Sequence, residues 1–192
     1  TGGLLATVHQ ARVASAEHQR AVDGVREMRQ LAHLLLFDFY DQVKQLPGST
    51  DVQRKLVSQS LDYLDAIVHE SQADMELTLD LIDGYTKMAN VQGNPYEENL
   101  GDASGALATF QKAQALANPL ERRHGSEQRV RKGLAFFFRS MGEVYFGNGD
   151  TAKAVESTLR ATGIYERMIS DPGAPSDLLQ DAASAFDTLG DQ

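Results

Sequence analysis

The chain has 192 residues, 42 % of them hydrophobic and 23 % charged, with a formal net charge of −9 at pH 7. That is one domain's length with room for a real core, and the acidic balance argues against a nucleic-acid backbone as main partner, because such binding runs on Lys and Arg. The absence of cysteine excludes disulfides, thiol catalysis, zinc ribbons and iron–sulfur clusters.

No run reaches the ~18 apolar residues of a membrane span; the longest, Leu34–Tyr40, is short and carries Asp38. Apolar residues recur at three- and four-residue steps between breaks that hold the five prolines, and alternating β-branched runs are missing. The pattern predicts an all-α chain of about seven helices. The first is long, from about Leu4 to Gln45, and if continuous it spans ~60 Å. Its second half carries the stripe Val25, Met28, Ala32, Leu35 and Phe39, which suits burial, whereas residues 1–24 read as a stalk or coiled-coil strand in need of a partner. Residues 25–192 then form the helical domain.

"LPGST" at 46–50 ends that helix, and Ser49 or Thr50 caps a second running to about Gln72. A third covers roughly Asp74–Val91 and a fourth about Asp102–Ala117. A fifth covers about Ser126–Phe146, a sixth about Asp150–Ser170, and a seventh begins near Ser176. Between the third and fourth lies "QGNPYEENLGDASGA", 92–106. Its carboxylates lack EF-hand spacing and it has no lysine for a P-loop, so it reads as a lengthened turn, with Gly101 bending the chain and Asp102 capping the next helix.

The second half repeats. A shift of 48 residues lays Gly101-Asp102 on Gly149-Asp150, Ala106 on Ala154, Ala113 on Ala161, Phe138 on Phe186, Met141 on Leu189 and Gly142 on Gly190. Small and large residues at fixed offsets are what paired helices need: alanine or glycine lets two helices approach, and an aromatic fills the space beside them. Phe138, Met141, Gly142, Tyr145, Ala154 and Ala161 resemble the tetratricopeptide pattern, with Thr158 where an aromatic is expected. Tyr85, Met88, Ala89 and Gln92 supply the preceding first helix, with about five extra residues in the turn. Phe186-x2-Leu189-Gly190 opens a further first helix, so the chain is expected to be a piece of a longer protein cut mid-repeat.

Residues 25–65, with "VREMRQLAHLLLFDFYDQVKQLPGSTDVQRKLVSQSLDYLD", and 91–113, with "VQGNPYEENLGDASGALATFQKA", together resemble the segment after the membrane span in a group of bacterial serine/threonine protein kinases. In that family a cytoplasmic catalytic domain is followed by one span and then a tetratricopeptide-like region; "TGGLLATVHQAR" resembles the tail of the span. No Gly-rich loop, H-R-D or D-F-G kinase motif occurs here. The resemblance implies a non-catalytic sensory or interaction domain on the extracytoplasmic side of a bacterial inner membrane, tied to the membrane only through a span upstream of Thr1. Its implied ligand is a protein or peptide. A rival expectation is a structural module that homodimerises through the first helix and has no other ligand.

Chemistry-bearing patterns are sparse. His69-Glu70 begins like a zincin helix, but Ala73 stands at the second ligand position, and His9 and His18 fall on opposite helix faces, so no metal site is expected. Asp38/Asp41, Asp62/Asp65 and Asp80/Asp83 share helix faces at i, i+3 without a basic clamp beside them, and read as solvated faces. No G-x-S-x-G elbow is present. Neither catalysis nor a cofactor is expected. The basic run "RRHGSEQRVRK", 122–132, reads as a solvated helix start with acidic partners as the alternative. In "AFFF", 135–138, at most two aromatics bury easily. By tetratricopeptide register the groove-facing positions are Asp83, Thr86 and Asn90 from one copy and Phe136, Arg139 and Glu143 from the next, with Asn90 and Arg139 suited to a peptide backbone or carboxylate.

Overall fold

The structure, a computed structural model, describes residues 50–71, 74–171 and 176–191. The expected first helix, Leu4 to Gln45, and its stalk part, residues 1–24, lie outside the described residues. Among these, six α-helices and no strands occur: α1 (Thr50–Ser71), α2 (Met75–Gly93), α3 (Ala103–His124), α4 (Gln128–Gly147), α5 (Thr151–Ile169) and α6 (Ser176–Asp191). The all-α expectation holds, and six of the seven expected helices fall where the periodicity placed them.

The helix starts follow from their caps. Asp74 accepts from the Leu77 amide at 3.1 Å, Asp102 from the Gly105 amide at 2.9 Å and Asp150 from the Lys153 amide at 3.3 Å. Gly101 and Gly149, at φ +72° and +80°, supply the left-handed residue before two of these caps. One boundary differs from expectation: α3 runs through Pro119 to His124 rather than stopping near Ala117. Proline removes one intrahelical bond there. The last turn is held from outside, by buried Leu120 and by Glu121, which accepts from Arg160 of α5 at 2.7 Å.

The helices stack as hairpins. α2 packs on α3 and α4 on α5; α4 also meets α2 and α3, and α6 packs on α5 and α4. The repeat is physical as well as textual. Tyr85, Met88 and Ala89 of α2 are buried where Phe138, Met141 and Gly142 of α4 are buried, 53 residues later, while α3 and α5 correspond at 48. The five-residue difference is the turn between α2 and α3. Its ends are nonetheless tied alike: the Asp102 amide donates to the Gln92 carbonyl at 2.8 Å, and the Asp150 amide to the Tyr145 carbonyl at 2.9 Å.

Each hairpin closes on small residues. Ala106, Ala113, Ala154 and Ala161 are fully buried. A Cβ on Gly93 would sit 2.7 Å from the Ala103 Cα, and one on Gly142 would run into the Thr158 hydroxyl and lie 3.2 Å from the Ala154 carbonyl. Large side chains fill the flanks. Phe137 and Phe138 are buried with ring centres 4.8 Å apart, and Phe110 lies 6.1 Å from Phe137; burying each such side chain is worth about 1.5–3 kcal/mol. Two of the three consecutive phenylalanines therefore bury, and Phe136 stays half-exposed.

A polar junction fastens α1. The buried Tyr85 hydroxyl donates to Asp65 at 2.7 Å, and Lys112 of α3 donates to the same carboxylate at 2.6 Å. Burial alone would raise the Asp65 pKa, but the hydrogen bonds from Lys112 and Tyr85 outweigh it and hold the carboxyl below its ordinary value. Burial and the Asp65 charge push the tyrosine far above its own range. The basic run at 122–132 is spent in a similar way. Arg129 pairs with Glu76 and Asp80 of α2, Arg131 with Asp171, and Lys132 with Asp181 of α6.

Two outcomes test this packing. Gly142→Ala gains up to about 1 kcal/mol of helix propensity, but overpacking against Thr158 costs about 1–3 kcal/mol, so the variant is expected to be less stable in urea unfolding. Adding Thr158→Ala should remove most of the penalty, which a double-mutant cycle would read as coupling. For Asp65, a lowered folded pKa means its contribution is present above the ordinary carboxylate range and is lost as pH falls through the folded value. Asp65→Asn should thus cost no more than about 1 kcal/mol near neutrality, because the carboxylate is 45 % exposed and screened, with the gap closing below about pH 4.

Candidate functional site

α2 and α4 lie side by side as the first helices of the two hairpins, and the six residues expected on their shared face do not share one fate. Asp83 sits at the surface and pairs with Lys87, one turn on, at 2.8 Å. Thr86 is buried, and its hydroxyl donates to the Ile82 carbonyl of its own helix at 2.7 Å; it is not available to a ligand. Phe136 is half-exposed. Asn90, Arg139 and Glu143 are brought together, and the short loop after α2 completes their surroundings.

Glu143 is buried, yet both its oxygens are satisfied. Arg139 donates to Oε1 at 2.5 Å and Asn94 Nδ2 to Oε2 at 2.7 Å. Asn94 also donates to Asn90 Oδ1 at 3.3 Å and accepts from the Tyr96 amide at 2.9 Å. Asn90 in turn donates to Ser140 at 3.3 Å and to Glu97 at 3.4 Å. The loop is pinned further by Asn99, whose side chain donates to the Asn94 carbonyl at 2.7 Å and accepts from the Gly101 amide at 2.8 Å. Pro95 closes the far side against Gly147, where an added Cβ would lie 2.7 Å from the proline ring. The stretch 92–106 is thus a strap from the first hairpin onto the second, and it supplies the second contact to a buried carboxylate.

The Arg139 guanidinium lies 5.7 Å from the Phe136 ring centre, within cation–π reach. Burial, with help from the Asp181 charge and against the pull of Arg139, pushes the Tyr165 hydroxyl up to about 12, so it remains protonated. Arg139 Nε is buried and has no hydrogen-bond partner, so this N–H is out of a surface ligand's reach. On these two helices stand a planar cation, a half-exposed aromatic ring and, on α2, the surface carboxylate of Asp83.

Sequence reasoning missed Asn94, Ser140 and Glu97. Asn94 looks like an ordinary turn residue before proline, and only the folding back of the strap reveals its partner 49 positions away. Among the described residues no group of three or more metal-ligating side chains gathers, and no helix is long and apolar enough to cross a membrane.

No protein-family model matches the chain, and no curated protein matches it. A solved structure described as the DHF79 filament matches at 14 % identity over 88 % of this chain and 99 % of that one, with a TM-score of 0.29; so low a score carries no argument about fold or function.

Replacing Asn94 by Ala should leave one oxygen of the buried Glu143 carboxylate unbonded, at a cost of about 1.5–3 kcal/mol. Hydrogen exchange should show the 94–101 amides losing protection more than those of α5. A Glu143→Gln/Asn94→Ala double variant should recover part of the loss, since a neutral amide is less costly to leave unpaired.

Proposed function

We propose that the chain is a non-catalytic, tetratricopeptide-like interaction domain that binds a peptide or partner protein along the face shared by α2 and α4. The carrying observation is the tandem of two hairpins whose first helices touch, with the half-exposed Phe136 and Arg139 of α4 stacked beside a fully bonded support of Glu143, Asn94 and Asn90. Half-buried aromatic and arginine side chains over a rigid base are the features of binding hot spots. The blocks around "LPGST" and "VQGNP" add the wider proposal: this is the sensory region of a membrane-anchored bacterial serine/threonine kinase, on the extracytoplasmic side. In that setting the first helix carries the binding event to the span.

A displayed library of random peptides selected on the full chain tests the binding reading. Phe136→Ala and Asp83→Lys alter the rim and keep the Asn94–Glu143 bond, so each should weaken the best binder about tenfold or more, or ~1.4 kcal/mol by calorimetry, while leaving the circular dichroism spectrum unchanged. Selected peptides that bind wild type and both variants equally, with chemical-shift changes away from α2 and α4, would sink it.

A further inference from the structure

We propose that the outer face of α6 is a docking site for a basic, alanine-spaced amphipathic helix of the α5 type. α6 repeats α4 at a shift of 48 residues, and its inner face behaves as its counterpart does: Leu178, Ala182 and Ala185 are buried, as are Val130, Leu134 and Phe137. The other face differs. In α4 it receives α5, and Phe138 is fully buried; in α6 the matching Phe186 is 41 % exposed and Leu179 is 56 % exposed. Phe186, expected from the repeat to be a core aromatic, is therefore not one, because no described helix follows α6 to cover it. Ala183 and Gly190 complete an exposed stripe with these two side chains.

The repeat states what fits there. Gly142 has no Cβ because one would collide with Thr158 of α5, and at Gly190 the same approach is open, with nothing within 4 Å of an added Cβ. Arg160 of α5 lays its guanidinium 3.7 Å from the Phe138 ring centre, and an equivalent arginine would cover Phe186. Charge selects the same partner. α6 carries Asp177, Asp181, Asp187 and Asp191 and no Lys or Arg; with Asp181 already paired to Lys132 of α4, joining α6 to a second α6 would still gather the other six aspartates. Each second helix of a hairpin, α3 and α5, has more Lys and Arg than Asp and Glu. The occupant is thus a helix with small residues at the crossing and cations at its flanks. This site is separate from the face on α2 and α4, and its variants leave that face intact.

The probe is a synthetic peptide of residues 151–170, which keeps the α5 excess of cations, added to the full chain. Saturable binding is expected, with the amides of α6 exchanging at least tenfold more slowly at saturation. Leu179→Asp and Phe186→Asp should each weaken binding at least tenfold with an unchanged circular dichroism spectrum, and a scrambled peptide of equal charge should not bind. Because a short helix orders at a cost, a second protein carries a copy of residues 144–170 directly after Asp191, in repeat register. It should show the same protection of α6 and a higher unfolding midpoint, both abolished by Phe186→Asp. The proposal is overturned if neither form protects α6, if binding ignores both substitutions, or if the unmodified chain sediments as a dimer that Phe186→Asp disperses, since the face would then belong to a second copy.

Discussion

The closeness of two backbones at each hairpin crossing governs the fold. Where α4 meets α5 there is room for a hydrogen on Gly142 and no more, and Ala154 and Ala161 keep the facing surface equally low. Side chains that cannot fit between the helices must lie beside the crossing, which is why Phe137 and Phe138 bury on the flanks and Arg160 closes over one of them. Close packing of this kind tolerates little volume change in either direction, so the spacing of small residues sets helix order as well as helix contact.

Between the two hairpins the interior is polar. Thr86 and Asn90 of α2 and Ser140 and Glu143 of α4 are buried polar residues, and Asn90 donates to Ser140 across the two helices. Each is bonded, and that matters because an unpaired polar group in such a place costs about 1–3 kcal/mol. Burial therefore separates the residues of this face into two kinds. Asn90 and Glu143 are members of a bonded network, whereas Phe136 and Asp83 keep part of their surface exposed.

Features that depend on local chemistry were legible in the sequence. Gly101-Asp102 and Gly149-Asp150 announce a left-handed residue followed by a cap, and the structure has both with the same hydrogen bonds. The buried alanines and the division of 136–138 into two core rings and one surface ring also follow from periodicity. What escaped is non-local. α3 continues past Pro119 because Arg160 and the core hold its last turn from another helix. Thr86 occupies a groove register yet turns to its own backbone. Phe186 has the pattern of a core residue, but a pattern cannot say whether the helix that would cover it is present. Asn94 joins Glu143 through a fold-back that no spacing rule encodes.

The strap gives the array a property that simple stacking does not. In a row of helix pairs that touch only neighbours, each pair can fray with modest effect on the next. Here the turn of one pair supplies a ligand to a buried charge of the other. Peeling the first hairpin away would break the Asn94–Glu143 bond and open the covered face of α4 to water, so the two hairpins lose these contacts together. The energetic unit is then the four helices α2–α5 together, and they should melt in one cooperative step. A pull on the chain before α2 would be resisted at α4 rather than absorbed by the nearest turn, so the insertion works as a mechanical clutch between repeats.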